Sequence, residues 1–195
     1  MNLVTKTVIA KIIIGSAFAT QLVACVPAVV GGAATGGAIA ADRRTSGIFV
    51  EDENIELKAA NKMRTNLGEQ SHVNVTSYNR NVLLTGEVPD EARKTLAANL
   101  LKEIQNITNV TNEIAIAPKA SLSSRSNDTY ITSKVKTRFV TENRFPANHV
   151  KVVTEDSVVY LLGMVTQEEA EAAVDIARNT DGVTKVVKVF EYTPQ

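Results

Sequence analysis

The chain of 195 residues contains no tryptophan, a single cysteine and only 5% aromatic residues. One cysteine excludes an internal disulfide framework and any cysteine-rich metal site. Lys+Arg and Asp+Glu both number 21, so there is no net positive field of the kind that draws a protein onto nucleic acid. The apolar run at residues 12–19 is too short to cross a bilayer. Also missing are His-Glu-x-x-His, Gly-x-Ser-x-Gly and phosphate-loop patterns, so neither catalysis, a bound metal or cofactor, nor a small-molecule substrate is expected.

What is present is a duplication. Val82-Leu83-Leu84-Thr85-Gly86-Glu87-Val88 returns as Val159-Tyr160-Leu161-Leu162-Gly163-Met164-Val165, each followed by an acidic helix start. Asp52 and Ile55 match Asp128 and Ile131, Met63 matches Phe139, His72-Val73 matches His149-Val150, and Pro118 matches Pro194. Similarity at a fixed period over this length means two copies of one small domain. The two histidines hold equivalent places in the copies, which assigns them to the fold rather than to chemistry.

The start reads as an export signal. Lys6 and Lys11 precede the apolar run, which ends at Leu22-Val23-Ala24-Cys25. That tetrapeptide resembles the bacterial lipobox, so residues 1–24 are expected to be removed and Cys25 to carry a diacylglycerol and an acyl chain such as palmitate. Each buried methylene contributes about 0.8 kcal/mol, so two or three chains hold a protein at a membrane essentially permanently. Val26 stands where an inner-membrane lipoprotein would carry Asp, which points to the outer membrane, facing the periplasm. Residues 25–50, rich in Gly, Ala and Val, are expected to form a flexible tether.

Each copy reads helix, two strands, helix, strand. The spacing of Ile55, Ala59, Met63 and Leu67 predicts an amphipathic helix over residues 52–67, and Ile131, Val135 and Phe139 predict its partner over 129–143. Two alternating strands with one buried face follow, joined by turns at residues 78–81 and 155–157. Gly86 and Gly163 inside the second strands mark a close backbone approach, expected from the second helix. The fold class is α+β, with two α-β-β-α-β domains at 51–118 and 128–195, each with two helices on a three-stranded mixed sheet. A polar connector, 119–127, lies between them.

This hydrophobic strand with its embedded glycine and following helix resembles the BON domain, in both copies. With the lipobox, the small-residue leash and the stretch Ser126-Asn127-Asp128-Thr129-Tyr130-Ile131-Thr132-Ser133-Lys134-Val135, the chain is similar to outer-membrane lipoproteins with two such domains.

The two first helices differ in charge. The earlier mixes Glu53, Glu56, Lys58, Lys62 and Arg64, whereas the later carries Lys134, Lys136 and Arg138 with no acid between Asp128 and Glu142. Helical geometry turns Ile131, Val135 and Phe139 inward and leaves Tyr130, Ser133, Lys134 and Thr137 on an outward stripe, with Arg138 at its edge and Lys136 and Val140 on the other flank. An exposed tyrosine beside cations suits lipid headgroups. The resemblance implies that this surface, Tyr130, Ser133, Lys134, Lys136, Thr137, Arg138, Val140 and Thr141, binds anionic phospholipid, notably phosphatidylglycerol. It further implies a role in envelope integrity and enrichment at division sites. Tyr130 and Lys136 stand where a relative has Trp and Arg, which keeps the chemistry and weakens it. The rival reading is a protein-interaction adaptor, using the same helix or a free sheet face to meet outer-membrane assembly machinery or a cell-wall hydrolase regulator.

Overall fold

The computed structural model describes residues 42–194; the signal, Cys25 and residues 26–41 of the tether lie outside the described residues. The elements run α1 (Ser46–Asn66), β1 (His72–Tyr78), β2 (Asn81–Val88), α2 (Glu91–Leu101), β3 (Asn109–Asn112), β4 (Ala115–Ile116), α3 (Leu122–Glu142), β5 (Val150–Glu155), β6 (Val158–Val165), α4 (Gln167–Arg178) and β7 (Lys185–Tyr192). In each copy a hairpin pairs antiparallel and its second strand pairs parallel with the last. The fold is α+β, as expected, with two mixed sheets. In the first copy the last strand is broken, because Ile114 leaves the ladder and turns its side chain into the core, separating β3 from β4.

Both helices of a copy cover one face of its sheet. Ile55, Ala59, Met63 and Leu67 of α1 meet Val82, Leu84 and Val88 of β2 and Ala97, Leu100 and Leu101 of α2. Ile131, Val135 and Phe139 of α3 meet Val159, Leu161 and Val165 of β6 and Ala173, Ile176 and Ala177 of α4. α4 starts on a full capping box, in which Thr166 accepts from the Glu169 amide and Glu169 accepts from the Thr166 amide.

The opposite sheet faces are not free. Tyr78, Leu83, Tyr160 and Leu162 form one buried cluster with Val153, Val158, Met164, Val187 and Val189, so the two sheets pack face to face. This corrects the expectation of a single buried face and of a sheet face open for docking. Central strands covered on both sides lose alternation and read as unbroken apolar runs, which is what residues 158–162 are. Polar bonds frame the seam: Lys151 Nζ lies 2.7 Å from Glu56 Oε1, Asn74 Nδ2 donates to Glu155 Oε2 at 2.9 Å, and Asn79 Nδ2 donates to Glu191 Oε2 at 2.7 Å.

Two boundaries move. Residues 46–50, placed in the tether, are the first turns of α1, and residues 122–127, placed in the connector, are the first turns of α3. Thr45 and Ser121 are the reason: each side chain accepts from the backbone amide three residues on and starts the helix early. Both helices are 21 residues long. The chain entering α1 is also pinned. Arg43 pairs with Glu169 at 2.6 Å and donates to the Met164 carbonyl, whereas Arg44 pairs with Asp42 and Asp52 and lies over the Tyr78 ring at 4.1 Å. Adjacent residues thus hold opposite halves of the seam, and burial there pushes the Tyr78 hydroxyl up to about 12.

Glu155 sits in the seam with 7% exposure, and Glu87 of the facing sheet is also buried. Burial raises the Glu155 carboxyl above the ordinary glutamate range, while the Asn74 hydrogen bond acts the other way. The folded state therefore holds this proton more tightly than the unfolded chain, and the associated stability is complete below the unfolded value and lost as pH rises through the folded one. Glu155→Gln is expected to raise the melting temperature by roughly 2–4 °C at pH 7 and to leave it unchanged at about pH 3, below the ordinary glutamate range, where Glu155 is protonated in both states. Thermal unfolding at the two pH values checks this, and an equal shift at both would refute the proton linkage.

Candidate functional site, an exposed helix face

Among the described residues no helix is long and apolar enough to cross a membrane, and no cluster of three or more metal-ligating side chains occurs. The surface singled out in the sequence is therefore the candidate site. α3 turns Asp128, Ile131, Val135 and Phe139 inward. Its outward face carries Tyr130 at 62% exposure and Val140 at 66%, with Ser133, Lys136, Thr137 and Thr141 exposed beside them.

Lys134 and Arg138 do not join that face. Both are partly buried and turn toward the end of α4. Lys134 Nζ donates to the Asp181 carbonyl and lies 4.7 Å from the Tyr130 ring. Arg138 Nη1 donates to the Ile176 carbonyl and the Thr180 hydroxyl, each at 3.1 Å, and its Nη2 pairs with Glu142 at 2.7 Å. These cations satisfy carbonyls that a helix C-terminus leaves without partners. The duplication repeats the placement with a different contact: Lys62 stands in α1 where Arg138 stands in α3, and it pairs with the Glu103 carboxylate just beyond α2. Helical periodicity places a side chain on a face but does not say which neighbouring helix ends beside it.

The useful contrast lies in what the copies do not share. Tyr130, Ser133, Lys136, Thr137 and Val140 replace Asn54, Leu57, Ala60, Asn61 and Arg64 of α1. Lys136 has no ion-pair or hydrogen-bond partner among the described residues. The two acids of α3 are both occupied, Asp128 by the hairpin amides of Asp156 and Ser157, Glu142 by Arg138. The early helix start adds one residue that the sequence reading missed: Leu122, 80% exposed. Leu122 and Val140 are 18 residues apart, five helical turns, and so lie on one line along α3. The signal that could have found Leu122 is the Ser121 cap. Leu122, Tyr130 and Val140, hydroxyls between them and one unpaired cation make a surface about 27 Å long at 1.5 Å per residue.

His72 and His149 occupy matching places, with their backbone carbonyls against Gly86 and Gly163. The His149 ring contacts Glu169 at 3.1 Å. Burial, helped by Arg125, lowers the His72 value.

Two α-β-β-α-β units, stacked by their sheets and each with a helix aspartate closing its hairpin, define the class. A family model for the BON domain matches residues 51–118 and 127–194. Over 170 residues the chain is 41% identical to the outer membrane lipoprotein DolP of Haemophilus influenzae, spanning 86% of this chain and 88% of that protein. It is 35% identical to the 21 kDa hemolysin of Actinobacillus pleuropneumoniae, over 77% of this chain and 79% of that one. It is 31% identical to the osmotically-inducible protein Y of Escherichia coli, over 72% of each. The chain belongs to the BON domain family and, within it, to the group of DolP.

Proposed function

We propose that this is a non-enzymatic lipoprotein of the outer membrane, anchored through Cys25 and facing the periplasm, whose α3 face reads anionic phospholipid such as phosphatidylglycerol and so supports envelope integrity, including at division sites. The observation that carries the reading is the exposed face that holds Leu122, Tyr130 and Val140, with Lys136 as the unpaired charge and both acids of the helix already occupied. The kinship with a protein named as an outer membrane lipoprotein supports the location.

Magnitudes explain why such a surface needs an anchor. One cation at an anionic leaflet contributes about 1 kcal/mol. Three apolar side chains entering the interface contribute on the order of 1 kcal/mol each when partly buried. Together these correspond to a dissociation constant of about 1 mM. An effective concentration of the same order, imposed by a short tether, makes so weak a contact sufficient. With Lys134 and Arg138 committed to α4, the salt dependence is expected to be that of one or two charges rather than three.

The test is co-sedimentation of the unacylated chain from Asp42 onward with vesicles of phosphatidylglycerol and of phosphatidylcholine. Lys136→Glu with Val140→Asp is expected to reduce binding to the anionic vesicles at least tenfold with an unchanged melting temperature. Arg138→Gln is expected to lower the melting temperature and leave most of the binding. Full binding by Lys136→Glu/Val140→Asp, or equal binding to both lipids, would remove α3 as the lipid reader.

A further inference from the structure

The duplication gives the seam two matching ends, and they are finished differently. At one end the chain entering α1 fills it: Arg44, one residue before the Thr45 cap, buries its guanidinium against Asp42 and Asp52 and over the Tyr78 ring. At the other end the matching residue, one before the Ser121 cap, is Ala120. Glu155 and Asp156 stand there in the places of Tyr78 and Asn79, and Asp128 in that of Asp52. The arginine is missing where the surroundings are more acidic.

In its place lies a cavity of about 280 Å³ between the two copies. Glu87, Glu113, Glu155, Asp156 and Tyr160 line it, together with Ala120. None of the four carboxylates forms an ion pair among the described residues. Glu87 accepts from the Ala120 amide at 3.1 Å and Glu155 from Asn74, whereas the Glu113 and Asp156 side chains have no hydrogen-bond partner there. Two nearby cations do not compensate. Arg125 Nη2 donates to the Ala120 carbonyl at 3.0 Å and pairs with no acid, and Lys119, at the place of Arg43, lines other cavities.

Tyr160 is a second sign of a missing occupant. It is 6% exposed, belongs to the seam cluster, and its hydroxyl makes no hydrogen bond among the described residues. A buried hydroxyl without a partner costs free energy that a ligand would recover. Burial, and then Glu113, Glu155 and Asp156, push it up to about 12, so it stays neutral and offers its oxygen as an acceptor.

We propose that this cavity binds a guanidinium group from outside the chain, in the place that Arg44 fills from within in the first copy. The planar fork pairs with two carboxylates at once and stacks on an aromatic ring, which a compact ammonium does less well. Among the described residues no three acids converge as metal ligands, so a metal ion is the poorer fit. The bound cation would offset the cost of burying Glu155, which the fold otherwise bears alone.

The experiment titrates the full chain in neutral detergent with methylguanidinium chloride and, at equal ionic strength, with methylammonium chloride, while backbone amide NMR shifts are followed. Expected are saturable shifts confined to residues 113–121 and 154–160 and their neighbours, with methylguanidinium binding at least about fivefold more tightly. Ala120→Arg supplies the side chain from within: it is expected to abolish the response and to raise the melting temperature by roughly 2–4 °C. The Ala120 contacts to Glu87 and Arg125 are made by backbone atoms and survive this change. Glu113→Gln removes no side-chain contact of the fold and is expected to weaken binding at least threefold, so the test stands even if Ala120→Arg perturbs the connector. Agmatine and a capped arginyl tripeptide distinguish the sources: tighter binding of the first assigns the site to a free small cation, tighter binding of the second to an arginine side chain of a partner. Three outcomes would overturn the proposal: no saturable shift, equal responses to the two cations, or Ala120→Arg binding methylguanidinium as the parent does.

Discussion

Gly86→Ala is expected to unfold the first domain or to cost more than about 4 kcal/mol, the scale reached when backbone is forced apart in a packed interior. A Cβ at position 86 would lie 2.0 Å from the His72 carbonyl oxygen, and the residue has φ +107°. The obstacle is main chain of β1, which cannot rotate away as a side chain would. Moving it by the required ångström would break the β1–β2 ladder while α1 packs on one face and the second sheet on the other. Gly163→Ala repeats the collision at 2.3 Å from the His149 carbonyl but lacks the unusual φ, so a smaller loss in the same direction is expected. Gly47→Ala is the control: it lies in α1 with its nearest atom 3.9 Å away and is expected to be neutral or to gain up to about 1 kcal/mol through helix propensity. Urea unfolding of the three variants checks the order. A wild-type midpoint for Gly86→Ala would mean that β1 does not cross so close at this residue.

The approach at these glycines comes from β1 in the first copy and from the residue just before β5 in the second, not from the second helix. The apolar runs and the glycines were visible in the sequence, as was the order of elements, because period and turn residues are local properties. The partner of a glycine is a tertiary fact that a single strand does not encode. The same divide explains the site. Tyr130 and Val140 could be placed outside from spacing to Ile131 and Phe139 alone, and both are exposed. Lys134 and Arg138 satisfy the same spacing rule, yet the end of α4 takes them up, and only the parallel between Arg138 and Lys62 hints at it in the sequence. The serine-rich stretch at 121–127 read as a connector because serine is a weak helix former; its first residue is the cap that makes it helix.

Asp52→Ala is the second large effect, expected at about 3–5 kcal/mol, the range for removing one member of a buried charged network. The Asp52 carboxylate, 2% exposed, receives the Ser77 hydroxyl at 2.6 Å, the Asn79 and Arg80 amides at 2.8 and 2.7 Å, and Arg44 at 2.8 Å. Asn79 and Arg80 are in the left-handed region, at φ 51° and 64°, a turn that suits the hairpin twist but is unfavourable for non-glycine residues. A helix carboxylate that ties down both amides offsets that cost and fixes α1 to the hairpin at once. Asp128 does the same in the second copy, accepting from Asp156 and Ser157 at φ 47° and 62°, but it has no arginine. Asp128→Ala is therefore expected to cost less, about 3 kcal/mol for two amide bonds to a charged acceptor. The difference between the two losses measures Arg44 together with the Ser77 hydroxyl; Arg44 joins the incoming chain to the first domain while Arg43 holds the second. In an Arg44→Ala/Ser77→Ala background, Asp52→Ala should fall to the Asp128→Ala value. If the two aspartates already cost the same in the parent protein, neither Arg44 nor the Ser77 hydroxyl contributes to stability through Asp52.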